Sequence, residues 1–439
     1  MPVNSTHVNY DKFLNQWTRC RDVVDGSDAV KGKGETYLPK LLEQSSDEYE
    51  AYKTRALFFS VSGSSLAGLV GTMTRRPPVI TKGDDAEAYF KDTSLSGVSF
   101  NELFTMTSHE VLKTGRFGIL IDWPEAGGRA YLSTYITERI LNWTVSDDGT
   151  MLTSVVLEER IMVQDEQDKF VITEESRYRY LYLNDNGKYT VELYDNDAEL
   201  IKGPFNPVVR GEPINIIPFY SITPFGLSIE PIKPPILDIV DVNLSQYLSS
   251  ADLEHGRHFT ALPTAVVSGE DSDTSLKIGS TTAWVLPSKD AKAYYMEFLG
   301  EGLKSLENAI KEKTSQMAQF SARLMDTSSR GSEAADTVRL RHAADSATMV
   351  SVATAIENGF NLIYGYIKEF ERLDEILIQL HKDFLDTKLS ATDIKELTES
   401  LIKGGIDQET FIYLLNRGES LPPGKTTLNS TVTEETNDE

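Results

Sequence analysis

Two histidines, His255 and His258, stand three residues apart beside Asp252 and Glu254 in a stretch with helical periodicity. That spacing presents two imidazoles on one helix face, as a metal site requires. A third ligand at matching spacing is missing, and six histidines in the chain leave little choice, so they read as surface or packing residues. Asp238, Asp241, Asp252 and Glu254 would form a hydrolytic pair only if one pKa were raised. With nothing in the sequence to raise it, these acids read as a solvated helix face. Gly63-Ser64-Ser65-Leu66-Ala67 resembles a nucleophile elbow lacking its last glycine. An elbow sits on a strand-to-helix turn, whereas these residues fall within a helical stripe, where small side chains permit close packing. Gly424-Lys425-Thr426 ends like a phosphate-binding loop, yet Glu419 stands where that loop needs glycine and a polar tail follows in place of a helix. No catalytic residue, metal or cofactor is assigned.

One basic cluster remains. Arg323, Arg330, Arg339 and Arg341 flank the polar run Asp326-Thr327-Ser328-Ser329-Arg330-Gly331. They either pair with Glu and Asp on their own helices or contact a polyanion.

The chain is 439 residues long, enough for two or three domains with cores of their own. Its formal charge is −24, from 67 acids against 43 Lys and Arg. Nucleic-acid binding rests on phosphate contacts from Lys and Arg, so this chain is a poor conventional DNA binder, although it can surround DNA without gripping it. A single cysteine, Cys20, excludes an internal disulfide framework. The N-terminus lacks a basic segment followed by an apolar run, so no signal peptide is expected, and no apolar stretch of about 18 residues exists to span a membrane.

Residues 1–45 are polar and interrupted by Gly26, Gly32, Gly34 and Pro39, which predicts an arm with at most one short helix near Tyr10 to Val23. A helix is expected from Ser46, striped by Tyr52, Ala56, Phe59, Gly63, Leu66 and Val70, until Pro77-Pro78 stops it. Ser99 to Thr114 predicts another, closing at Gly115. The period then becomes two over 116–123, 129–136, 151–164, 176–183 and 188–194, with turn signals between them, so this region reads as antiparallel sheet. Eight prolines between 204 and 235 predict an extended connector.

Helical periodicity returns over Ile236 to Phe259, with Val240, Leu244, Tyr247 and Ala251 on one stripe. A small strand-and-turn module, with strands at Thr264 to Val267 and Thr281 to Leu286, precedes a long helical hairpin over 301–377. Leu303, Leu306, Ile310, Met317, Phe320 and Leu324 stripe its first arm, with Lys313 filling one turn. Val338, Met349, Val352, Ile356, Ile363, Phe370 and Leu377 stripe the second, over about 70 Å. A helix this long is expected to span domains or line an assembly rather than bury its stripe inside one compact monomer, and Gly359 and Gly365 suggest a kink. Helices at Thr392 to Lys403 and Gln408 to Asn416 meet at Gly404-Gly405.

Three stretches stand out within this order. They are Tyr49-Glu50-Ala51-Tyr52-Lys53-Thr54-Arg55-Ala56 leading to Gly68-Leu69-Val70-Gly71 and Arg76-Pro77-Pro78; Asn243 to His255 after the double proline; and Gly404-Gly405-Ile406-Asp407 to Arg417-Gly418. With the order of elements, they resemble the portal (head–tail connector) proteins of tailed bacteriophages over roughly residues 40–418. The resemblance implies an α+β fold with a helical and antiparallel-β wing, two stem helices around a small α/β clip, a long wing helix and a short helical crown. Mapped here, these are an N-terminal arm at 1–45, the wing at 46–235, the first stem helix at 236–261, the clip at 262–300 and the second stem helix at 301–325. A DNA-facing tunnel loop at 326–331, a long wing helix and connector at 332–391, crown helices at 392–417 and a disordered tail at 418–439 complete it.

The implied function is non-enzymatic. A ring of about twelve subunits at one capsid vertex conducts double-stranded DNA during packaging and ejection, docking the terminase large subunit, a head–tail adaptor and the major capsid protein. The implied location is the virion, and the host cytoplasm during assembly. An acidic bore would repel phosphate and let DNA slide. The alternatives are a non-conducting adaptor or scaffold of a virion, and an enzyme with dispersed carboxylates.

Overall fold

The computed structural model describes residues 2–124, 127–165, 168–261, 264–268, 290, 292–296, 301–325, 335–382, 384 and 391–417. They form an α+β architecture in which all sheet pairing is antiparallel.

The first 45 residues are not an arm. Helix α1 (Val8–Asp25) buries Trp17, Cys20 and Val23 completely, and Gly26, at φ +102°, separates it from α2 (Ser27–Gly32). Tyr10, Phe13, Trp17 and Cys20 recur at steps of three and four, a stripe masked in the sequence by the polar residues between them.

Where one helix was expected from Ser46, two form, α3 (Ser46–Arg55) and α4 (Val61–Thr74), with extended chain between them. Asn243 accounts for the break. Its amide donates to the Phe59 carbonyl and its oxygen accepts from the Ser62 N–H, so backbone groups freed from a helix ladder are satisfied from another element. β1 (Val79–Thr81) and α5 (Glu87–Lys91) lead to α6 (Phe100–Thr114). The Ser99–Glu102 capping box starts α6 and left-handed Gly115 ends it, as the sequence signals.

β2 (Phe117–Asp122), β3 (Tyr131–Ile136), β4 (Ile140–Val145), β5 (Leu152–Gln164), β6 (Ile172–Leu183), β7 (Tyr189–Tyr194) and β8 (Leu200–Phe205) follow. β4 and β8 were not among the expected strands. Nor is the proline-punctuated stretch only a connector. It holds β9 (Val208–Val209), β10 (Glu212–Pro213), β11 (Phe219–Thr223) and β12 (Gly226–Leu227). One sheet runs β12-β11-β2-β3 and the other β4-β5-β6-β7-β8. Pro218 and Pro224 flank β11, which leaves its inner ladder to β2 intact, Phe219 opposite Leu120. Trp17, Leu120, Trp143, Leu157, Leu181 and Phe219 share one core.

Beyond the sheets come α7 (Leu237–Ala261), the hairpin of β13 (Thr264–Ser268) and β14 (Lys292–Met296), α8 (Glu301–Met325) and α9 (Ala335–Glu371). Of the expected α/β clip, the hairpin alone is described; Thr281 to Leu286 lie outside the described residues. α9 is unbroken and stops earlier than its stripe suggests. Arg372, at φ 55°, turns the chain, and Leu377 belongs to β15 (Leu377–Gln379), paired with β1. Asn361 holds that return, donating to the Ile378 carbonyl and accepting from its N–H.

One expectation about α9 fails over part of its length. Met349, Val352, Ile356, Phe360, Ile363 and Tyr364 are buried within this one chain, so no neighbour is needed to cover them. Gly359 has a packing role: a Cβ there would meet Ile222 side-chain atoms at 2.8 and 2.9 Å, so this glycine seats α9 against β11.

The chain forms two compact units, Met1–Asp383 and Phe384–Glu439. In the second, α10 (Ala391–Ile402) and α11 (Gln408–Arg417) pack together across a turn with Gly404 at φ +72°. Residues 418–439 lie outside the described residues.

Candidate functional site: the paired long helices

α7 and α8 run antiparallel. Their contacts pair Gly256 with Leu303, Arg257 with Glu307 (2.9 Å), Ser249 with Lys313 (2.6 Å) and Gln246 with Thr314 (2.8 Å), so positions fall along one helix as they rise along the other. A Cβ on Gly256 would lie 2.5 Å from Leu303 Cδ2, which explains a glycine inside a long helix. Met317 on α8 is buried, while Leu303, Leu306, Ile310 and Phe320 are half-buried. Lys313, the polar interruption of that stripe, donates to the Ser245 carbonyl and the Ser249 hydroxyl on α7. Burial holds its pKa below the ordinary lysine value, with Asp252 opposing.

The acids of α7 are not simply a solvated face. Asp238 pairs with Lys233 at 2.6 Å, Asp241 with Arg19 at 3.4 Å and Glu254 with Arg257 at 2.8 Å, while Asp252 accepts from the Tyr52 hydroxyl at 2.7 Å. Burial raises the pKa of Asp241 while Arg19 lowers it. Each carboxylate therefore has its own partner, and no two are held together as a general acid and base would be.

His255 packs its ring edge-on against Tyr52, with Arg55 Nη2 3.3 Å from Nδ1. Burial, then Arg55, pushes its pKa down. It lines a surface cavity with His258, Leu41, Glu48 and Arg55. Among the described residues no group of three or more His, Cys, Asp or Glu is placed to hold a metal ion. Gly63 lies in the first turn of α4 rather than in mid-helix, and a Cβ there would stand 2.9 Å from the Val24 carbonyl oxygen, so it serves a close approach to α1. The Ser64 hydroxyl donates to the Ser60 carbonyl.

Asp326, Thr327, Ser328, Ser329, Arg330 and Gly331 lie outside the described residues, as do Gly424, Lys425 and Thr426. Arg323 falls on the last turn of α8, and Arg339 and Arg341 on the first turns of α9, as backbone positions.

One buried arginine, Arg116, and two half-buried ones, Arg21 and Arg179, escaped the sequence reading. Arg116 lies between the rings of Trp17 and Trp143 and donates to Thr137 and to the Ile229 carbonyl; burial pushes its pKa down to about 9. Arg21 bridges Glu110 and Glu138, joining α1 to α6 and to the turn after β3. Arg179 on β6 reaches Asp122 on β2 and Glu159 on β5, tying the two sheets together. No spacing rule marks such residues, because their partners are distant in sequence.

Residues 235–371, from α7 through α9, match the family model of a domain of unknown function, DUF4055. No curated protein matches the chain. Among solved structures, the chain is similar to one in the neck of an empty gene transfer agent (GTA) particle computed with C6 symmetry. That alignment has 11% identity and a TM-score of 0.45, and covers 88% of this chain and 96% of the other. A chain from the virion of a native GTA particle aligns at 12% identity and a TM-score of 0.42, covering 90% and 99% respectively. A third, from the neck of a native GTA particle computed with C12 symmetry, gives 13% identity and a TM-score of 0.41, covering 83% and 90%. These are distant likenesses, and the function proposed below stands on the chain's own residues. No helix among the described residues is long and apolar enough to cross a membrane.

Proposed function

We propose that this chain is the subunit of a viral portal, a ring that conducts double-stranded DNA through a capsid vertex during packaging and ejection. The observation that carries the reading is the pairing of α7 and α8, antiparallel and joined through the β13–β14 hairpin, with α9 running back into the sheet-bearing part of the chain. Stem, clip, stem and wing follow one another in that order in portal proteins. A net charge of −24 suits a conduit, since it repels phosphate and leaves DNA free to slide. Proposed partners are further copies of the chain, the terminase large subunit, a head–tail adaptor and the major capsid protein. The proposed tunnel loop is 326–331, with Arg323, Arg330, Arg339 and Arg341 near the DNA.

Negative-stain imaging and mass measurement of the purified chain test the reading. Annular particles of about twelve subunits are expected; a monomer under every assembly condition sinks it. In rings, the double variant Arg323→Ala and Arg330→Ala is expected to assemble normally and to package or retain DNA poorly. Wild-type packaging and retention by that variant would remove the loop from the proposal.

A further inference from the structure

We infer that the outward face of α8 touches the phosphate backbone of duplex DNA through Lys304 and Lys311, an inference that rests on the conduit reading above. At about 100° per residue, seven positions bring Lys311 back to within about 20° of Lys304, one contact every 10 Å or so along the helix. Asn308 and Ser315 fall on the same line, and all four residues are exposed. Lys313 meets α7 about 180° around the helix from Lys304, and Leu303 and Thr314 meet it about 80–100° around. Lys304 and Lys311 therefore point away from the partner helix.

The charge balance of the helix pair singles out the same two residues. Each acid of α7 is engaged, with Lys233, Arg19, Tyr52 or Arg257. On α8, Glu307 is held by Arg257 and Lys313 is turned inward. Neither Lys304 nor Lys311 is in an ion pair among the described residues. Glu307 and the exposed Glu312 lie about 60° and 80° around the helix from Lys304, on opposite sides, and so flank the line instead of interrupting it. The outward line of α8 thus carries free positive charge on a chain whose net charge is −24. Two weak phosphate contacts against a repelling background would guide DNA without arresting it.

The test compares two charge-matched double variants of the full chain by titration with a short fluorescent DNA duplex at low salt. One is Lys304→Ser with Lys311→Ser. The control is Lys91→Ser with Lys188→Ser, exposed lysines on α5 and in the β6–β7 turn. The α8 pair is expected to weaken binding about tenfold and to flatten the salt dependence by about two contacts, while the control pair changes neither. Equal effects of the two pairs would mean that only total charge matters and would overturn the inference. So would wild-type affinity in the α8 variant, or absence of binding by the wild-type chain at low salt. Imaging the same samples keeps the two readings apart: absence of rings in the wild-type protein counts against the conduit, while the paired titration still decides the face of α8.

Discussion

Glu110 shows what a single residue does on α6. Burial alone would raise its pKa, but hydrogen bonds and charge from His109, Arg21 and Lys113 outweigh that and hold it well below the ordinary value of 4.5. A depressed carboxyl pKa contributes stability that is complete above the unfolded-state value and is lost as pH falls through the folded-state value. Glu110→Gln strips Arg21 and Lys113 of a buried partner and is expected to cost about 3 kcal/mol near neutral pH. The gap in melting temperature between wild type and variant should shrink as the pH is lowered below 4.5, the value at which the unfolded carboxyl is half-protonated. A gap unchanged by acid would mean that Glu110 contributes through shape rather than charge. Arg116 makes a related point: among the described residues its guanidinium has no carboxylate within ion-pair distance and is held by two indole faces and carbonyl oxygens. Such a site joins Trp17, Trp143 and Thr137, which sequence spacing cannot bring together.

At the scale of elements, glycines separate two readings that a sequence confounds. Gly359 and Gly365 both suggest a kink in α9, and the helix runs unbroken through both. Gly359 lies against Ile222 and Leu227, whereas a Cβ at Gly365 would meet nothing within 4 Å. Gly359→Ala should therefore overpack the α9–β11 contact, cost about 1–3 kcal/mol and lower the melting temperature. Gly365→Ala should raise it slightly, because alanine improves helix propensity by up to about 1 kcal/mol. Calorimetry of the two variants checks the pair; a stabilising Gly359→Ala would refute the packing account. The long helices were legible because their apolar residues repeat over many turns, and α6 because both caps are written locally at Ser99, Glu102 and Gly115. The break between α3 and α4 was not, since its cause is Asn243, far along the chain. Strand β11 was hidden for a similar reason: prolines at its borders read as connector, while its partner, β2, lies a hundred residues upstream. Of the candidate site, α7 and α8 could be read as helices, but the partners that engage each α7 acid could not.

On the scale of the whole molecule, the charge of −24 sets two processes against each other. Copies of an acidic chain repel as they gather, and added salt screens that repulsion, with a Debye length falling to about 8 Å at physiological ionic strength. Apolar packing between copies is not weakened by the same salt. The proposed phosphate contacts of Lys304 and Lys311 follow the opposite trend, because added salt reduces the gain from releasing counterions on binding. If the conduit reading holds, ring assembly should increase from low salt to about 0.3 M, while affinity for duplex DNA declines over the same range. Mass measurement of assembled particles and DNA titration across one salt series read both curves. Rings that dissolve as salt rises would show the subunit interface to be built from opposite charges, and the acidic surface would then be part of the joint between subunits instead of the lining of the bore.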